Sequence, residues 1–161
     1  DDSEGYKLFL NGANGAMLTV VGQPLDASTT LALDAFRMNL LTYLPTECMA
    51  TDDVFAGYEE SLLIVKNDDS DYYVPDYAVD QIGSLSTVEG YKLFLNGAGG
   101  QSISVDGLPL SSDGNLELDP FRMNLLPYLP TDCWSTDVVF AGYDDQILLV
   151  QNDAKYLPAV F

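Results

Sequence analysis

The feature that most constrains this chain is a repeat with an offset of 85 residues. Residues 4–68 align with residues 89–153 without a gap, and about 40 of the 65 aligned positions are identical. The segment EGYKLFLNGA occurs unchanged in both copies, and FRMNLL, YLPT and FAGY also recur. Identity at a fixed period indicates one structural unit written twice. We therefore assign residues 1–85 to the first copy and residues 86–161 to the second.

The local pattern within each copy is mostly β. Tyr6–Leu10 has the length and composition of a strand and ends at the turn signal Asn11-Gly12. Leu62–Val65 is a continuous apolar run typical of a buried strand. Thr51 precedes two acidic residues and an apolar segment that stops at Gly57, which predicts a short helix with Thr51 at its N-cap. We expect a mainly β fold of two homologous modules, each a small β-barrel or β-sandwich with at most one short helix.

The order of the motifs resembles a module that recurs in secreted and cell-surface proteins of bacteria. In those modules a strand like GWN-LISYLP opens the unit and a GYxxxL strand comes late in it. Here NLLTYLP, LLIVKND, YYVP, QIG and EGYKLFLNG follow one another in that order. The segments Phe36–Asn39 and Phe121–Asn124, both FRMN, stand where the family usually has Gly-Trp-Asn. The resemblance implies a non-catalytic accessory role outside the cell, and it supplies no functional residues.

The frame of that module places the structural units out of phase with the chain. One contiguous module then runs over residues 35–119. A split module combines residues 120–161 with residues 1–34. Its two parts can meet within one chain, and the high local concentration created by covalent linkage favours that arrangement.

The two parts of the split module can also meet between chains. The strand Tyr6–Leu10 of one molecule would then complete the sheet of the next, because an added strand pairs the open backbone and fills the apolar groove. Tyr6, Leu8 and Leu10 are the predicted residues of this assembly strand. Repeated head to tail, the contact would build a filament.

The charge of the chain restricts its partners. Six Lys and Arg residues face 25 Asp and Glu residues, giving a net charge of −19. Such a chain repels the phosphate groups of nucleic acids and of anionic membranes. No apolar run approaches the roughly 20 residues that span a bilayer, so we expect no membrane insertion. The N-terminus also lacks the basic and apolar pattern of a signal peptide.

Catalytic motifs are missing from the sequence. The chain contains no His, which excludes Ser-His-Asp and Cys-His arrangements and His-bearing zinc sites. The Gly-rich segments 11–15 and 96–100 each lie between two predicted strands, whereas a Gly-rich loop that binds phosphate leads into the N-terminus of a helix. Nothing singles out two of the 25 acids as a catalytic pair. We therefore predict that the protein is not an enzyme.

The loop after the strand Leu62–Val65 is the candidate metal site. Its sequence, Asn-Asp-Asp-Ser-Asp, places several oxygen-bearing side chains together, as Ca²⁺ binding requires. The candidate ligands are Asp68, Asp69 and Asp71. The corresponding loop of the second copy carries Lys155, and a solvated acidic loop is the alternative interpretation.

Two cysteines occupy equivalent positions in the copies. Cys48 and Cys133 could form a disulfide, or they could be two small buried hydrophobic residues. Sequence spacing alone leaves both possibilities open.

Tyrosines follow the acidic loop of the first copy, and one has a counterpart in the second. Exposed rings would form a stacking face for sugars or for a protein, whereas buried rings would fill a small β core. These candidate contact residues are Tyr72, Tyr73, Tyr77 and Tyr156.

These patterns favour an extracellular or cell-surface structural or adhesive module. Its expected partners are further copies of itself, other surface proteins or glycans. The alternative is a calcium-dependent module that binds carbohydrate or peptide in a secreted protein.

Overall fold

The computed structural model describes residues 5–10, 16–19, 30–43, 45–86, 89–96, 101–103, 115–127, 135–143, 146–151 and 155–156. Over these residues the chain is mainly β, all strand pairs are antiparallel, and no sheet closes into a barrel. The mainly β prediction is confirmed. Of its two predicted forms, the described sheets fit the sandwich and not the barrel.

The elements are short. The strands are β1 (Gly5–Leu10), β2 (Ala16–Thr19), β3 (Leu31–Leu33), β4 (Met38–Thr42), β5 (Met49–Ala50), β6 (Leu62–Lys66), β7 (Tyr72–Val74), β8 (Val79–Asp80), β9 (Ser84–Leu85), β10 (Gly90–Leu95), β11 (Gln101–Ile103), β12 (Asn115–Leu118), β13 (Met123–Pro127), β14 (Ile147–Gln151) and β15 (Lys155–Tyr156). The helices are α1 (Thr51–Val54) and α2 (Thr136–Val139), and Pro75–Tyr77 form a 3₁₀ turn. The α1 helix begins at Thr51 itself, and its cap residue Ala50 makes no side-chain cap bond, so the predicted Thr51 N-cap was wrong by one residue. No helix within these described ranges is long and apolar enough to span a bilayer.

The two larger sheets are built around different strands of identical sequence, GYKLFL. One has the order β4-β10-β6-β7-β8 and the other β13-β1-β14-β15. In the first sheet Gly90 lies opposite Thr42 and Phe94 opposite Met38. In the second sheet the equivalent residues pair in the same register, from Gly5 opposite Pro127 to Phe9 opposite Met123. The strand GYKLFL therefore occupies the same place in both sheets, and β1 from the start of the described chain lies between β13 and β14 from its end.

Strand pairing divides the described chain into two bodies. The contiguous body comprises β3 to β11 with α1, and the split body comprises β1, β2, β12 to β15 and α2. The predicted module boundaries at residues 34/35 and 119/120 stay predictions. The pairing nevertheless places β3 in the contiguous body, opposite β11, and β12 in the split body, opposite β2.

Each body has its own apolar core, formed by the inward residues of alternating strands. In β10 the residues Tyr91, Leu93 and Leu95 are buried, whereas Lys92 and Phe94 are half-buried on the opposite face. The contiguous core consists of Leu31, Leu33, Leu41, Tyr43, Val54, Phe55, Leu62, Val65, Tyr73, Leu85, Tyr91, Leu93 and Leu95. The split core consists of Leu8, Leu10, Leu18, Leu116, Leu118, Leu126, Phe140, Ile147 and Val150.

The two larger sheets meet through the faces that point away from these cores. The contacts involve β1, β4, β10 and β13. The closest approach is at Gly90, where an added Cβ atom would lie 2.7 Å from the backbone carbon and oxygen of Leu125. Since no real Cβ atom approaches a backbone so closely, only glycine fits at this contact.

Replacing Gly90 by Ala should destabilise the protein by about 1–3 kcal/mol, because the new methyl group overpacks against a backbone that cannot move aside. Chemical denaturation measures this free energy of unfolding. The control is Ser84→Ala on the exposed side of β9, which should change stability by less than about 0.5 kcal/mol. A Gly90→Ala protein as stable as the parent would show that the two sheets are not packed this closely.

Candidate functional site

The predicted assembly strand is seated within its own chain. Leu8 and Leu10 of β1 are 0% and 1% exposed and lie in the split core, and Tyr6 packs against that core. On its two sides β1 pairs with β13 and β14. The structure thus brings Tyr6, Leu8 and Leu10 together in the closed, intramolecular arrangement. We call the groove between β13 and β14 that holds β1 the strand seat.

A buried asparagine lies in the wall of the strand seat, opposite Leu8. Asn124 is 3% exposed, and its Nδ2 donates to the carbonyl oxygens of Leu8 (3.4 Å) and Asp119 (3.0 Å). Its Oδ1 accepts the backbone N–H of Asp119 at 2.8 Å. Asn39 makes the same bonds to Asp34 in the contiguous body, at 2.9 and 2.7 Å. Sequence reasoning missed this role, although the recurrence of Asn within both FRMN segments was a usable signal.

In each body a phenylalanine with a strained backbone forms a hydrogen bond to the end of the central strand. The backbone N–H of Phe121 donates to the carbonyl oxygen of Leu10, and that of Phe36 donates to Leu95, both at 3.1 Å. Both phenylalanines adopt a left-handed backbone, with φ of 57° and 56°. A non-glycine residue adopts this conformation at a cost of roughly 1–2 kcal/mol. The same strained turn therefore holds the end of the strand in each body.

The predicted calcium loop instead binds an arginine from the split body. Arg122 Nη1 donates to Asp69 Oδ1 at 2.8 Å and to Asp119 Oδ2 at 3.2 Å, and Nη2 donates to the carbonyl oxygen of Asp68. The Asp68 carboxylate lies 3.9 Å from Nη2. Asp71 takes no part in this network: its backbone N–H donates to Asn67 Oδ1 at 2.9 Å and closes the loop on itself.

Within the described ranges, no group of three or more His, Cys, Asp or Glu side chains comes together to hold a metal ion. The predicted Ca²⁺ site at Asp68, Asp69 and Asp71 stays a prediction, but the arrangement does not favour it. Burial raises the pKa of Asp68, and Arg122 opposes that rise. The hydrogen bond to Asp69 is the main cause that raises the pKa of Arg122.

The predicted contact tyrosines have different surroundings. Tyr73 is 3% exposed and its ring stacks on Phe55, with centroids 5.9 Å apart and planes inclined by 18°. Tyr72 is half-buried, whereas Tyr77 is 80% exposed. Tyr156 pairs with Val150 in the second sheet, and its side chain is outside the described residues. These rings therefore do not form one stacking face among the described residues.

An acidic cavity of about 370 Å³ lies beside Tyr73 in the contiguous body. Its walls carry five carboxylates, and Tyr73 is hydrogen-bonded to one of them, Asp52. Burial first and this hydrogen bond second raise the pKa of Tyr73 to about 12. The residues that line the cavity are Asp52, Glu59, Glu60, Tyr73, Pro75, Asp76, Ala78 and Asp80. The negative potential of this cavity would attract cations and repel anions.

Cys48 is exposed rather than buried. Its predicted partner Cys133 lies outside the described residues, so the disulfide between them stays a prediction.

Comparison with protein-family models, with curated proteins and with solved structures found no match to this chain.

The raised pKa of Tyr73 has a measurable consequence for stability at alkaline pH. Because the folded-state pKa exceeds the ordinary value of 10, this proton contributes stability that is fully present below about pH 10 and is lost as the pH rises through about 12. Carbon NMR of labelled tyrosine, with Tyr73→Phe assigning the signal, measures the pKa directly. Asp52→Asn should lower it, since the hydrogen-bonded carboxylate is removed. A Tyr73 signal that titrates near pH 10 would contradict the described burial and hydrogen bond.

Proposed function

We propose that this chain is a non-catalytic structural module of an extracellular or cell-surface protein, which joins neighbouring units by exchanging its GYKLFL strand. The observation that carries the proposal is the equivalent pairing of two strands, β1 with β13 and β14, and β10 with β4 and β6. Each of these strands completes a sheet whose other strands come from the other sequence copy, and both do so in the same register.

Because β1 and β10 pair with their neighbours in the same register, either strand could occupy the place of the other. In both sheets the last residue of the central strand accepts a phenylalanine N–H, from Phe121 to Leu10 and from Phe36 to Leu95. A strand from another molecule would meet the same partners, because the repeated segment EGYKLFLNGA is identical in both copies. Exchange of an identical element between chains is a low-cost route to oligomers.

The energetics of the strand seat decide between closure and exchange. Burial of a leucine side chain contributes about 1.5–3 kcal/mol, so Leu8 and Leu10 strongly favour an occupied seat. Within one chain the seat is filled at a high effective concentration, which favours the closed form in dilute solution. Exchange between chains becomes more favourable when the protein is concentrated or when several units are tethered to one surface.

Composition supports the remaining parts of the proposal. The net charge of −19 keeps crowded units apart except where strands join, and the absence of His removes the commonest catalytic base. The alternative calcium-dependent binding module gains no support from the acidic loop, where Arg122 contacts Asp68 and Asp69.

Disulfide trapping tests the exchange. Phe9 and Met123 lie directly opposite each other on β1 and β13. With both native cysteines replaced by Ser, one preparation would carry Phe9→Cys and the other Met123→Cys. If the strand exchanges, the two preparations refolded together and oxidised should form a disulfide-linked dimer whose yield rises as the concentration approaches about 1 mM.

The matched control is the equivalent pair of the contiguous body, Met38→Cys with Phe94→Cys in one chain, which should form a bond within the chain at every concentration. The double variant Phe9→Cys with Met123→Cys should likewise close within one chain when dilute. Failure of the mixed preparations to give any linked dimer, while both double variants close normally, would rule out exchange of this strand.

A further inference from the structure

Three of the six basic residues of this acidic chain lie together where the two sheets meet. Lys66 and Lys92 are directly opposite each other on β6 and β10, so their side chains share one face of the sheet. Lys7 occupies the position in β1 that Lys92 occupies in β10, and these two strands are in contact. All three side chains are half-buried. We call this group the lysine cluster.

The charges of the lysine cluster act on one another. Burial is the main cause that lowers the pKa of Lys92, and the positive charges of Lys7 and Lys66 lower it further. Asp68 opposes these effects from the end of the cluster. That carboxylate also lies beside Arg122, so the lysines share its negative charge with a fourth cation.

This placement is unfavourable without a counter-ion. Like charges directly opposite each other on a sheet repel, and partial burial weakens the screening by water. Acids are abundant, at 25 in the chain, yet the cross-strand partner of Lys92 is a second lysine. At the equivalent place of the second sheet, Lys7 faces the neutral Gln151. The positive charge of Lys66 is therefore present in only one of these two sheets, and the repeat does not account for it.

We propose that Lys7, Lys66 and Lys92 form a binding site for a small, doubly charged oxyanion such as inorganic phosphate or sulfate. Each ammonium group supplies N–H donors for charge-assisted hydrogen bonds to the oxygen atoms of the anion. The ligand is small because the side chains are half-buried and because a net charge of −19 repels an extended polyanion.

The bound anion would tie the two bodies together. Lys7 belongs to β1 of the split body, whereas Lys66 and Lys92 belong to the contiguous body. An anion held by all three would stabilise the closed chain, in which these strands are in contact. This inference stands on the closed structure and does not require strand exchange between molecules.

Thermal unfolding with sodium phosphate, at ionic strength held constant with sodium chloride, tests the site. The melting temperature should rise and saturate at low millimolar phosphate in the parent protein, because a ligand of the folded state stabilises it by mass action. Lys92→Gln should weaken phosphate binding by about tenfold or more, because it removes a charge-assisted contact. In chloride alone this variant should melt at a higher temperature, because a half-buried charge is gone.

Arg37→Gln is the matched control, since it removes one positive charge outside the lysine cluster, where Arg37 binds Asp34 at 3.2 Å. Its response to phosphate should equal that of the parent. Isothermal titration with phosphate and with a sulfated polysaccharide separates a small-ion site from a polyanion surface. A rise that never saturates and is equal in Lys92→Gln and the parent would be general salting-out, and it would overturn the proposal. Tighter binding of the polysaccharide than of the free ion would overturn the small-ligand assignment.

Discussion

The structure depends on one strand pairing, that of β1 with β13 and β14. These strands lie at opposite ends of the described chain, so their pairing closes the chain on itself. The split core follows from it, because Leu8 and Leu10 are among its most deeply buried residues. Without β1 the strands β13 and β14 would present unpaired backbone and an open apolar groove, a state that strongly favours the addition of a strand.

The remaining contacts between the bodies lie around that strand. Gly90 lets β10 approach the backbone of β13, the strand that flanks β1. Arg122, one residue before β13, reaches the loop after β6 and contacts Asp68 and Asp69. The lysine cluster lies in the same region and has a repulsive charge arrangement. The interface between the two bodies therefore contains the close backbone contact at Gly90, the ion pairs of Arg122 and the mutually repelling charges of the lysine cluster.

The sequence predicted the features that depend on local pattern and on the repeat. The strand at Tyr6–Leu10 and the short helical segments follow from apolar spacing and turn residues, and the favoured intramolecular arrangement agrees with the described pairing. The partner of β3 could not be predicted, because the apolar pattern of Leu31–Leu33 fits either core equally well. The acidic loop was interpreted as a cation site since its composition does not reveal that Arg122, more than 50 residues away, would contact it.

The tyrosines and Asn124 illustrate a second limit. Tyr73 and Tyr77 are near neighbours in sequence, yet one is buried and the other exposed, because the chain passes from β7 into a 3₁₀ turn between them. Asn124 lies within an otherwise ordinary strand segment, and its bonds to the carbonyl oxygens of Leu8 and Asp119 become apparent only in three dimensions.

Hydrogen exchange measured by mass spectrometry tests the central pairing most directly. Amides of β1 should be as strongly protected as those of β10, since both are central strands with a hydrogen-bonded neighbour on each side. The protection of β1 should be lost only when the split body unfolds. Rapid exchange throughout Gly5–Leu10, with β10 still protected, would show that the first strand does not occupy the seat between β13 and β14.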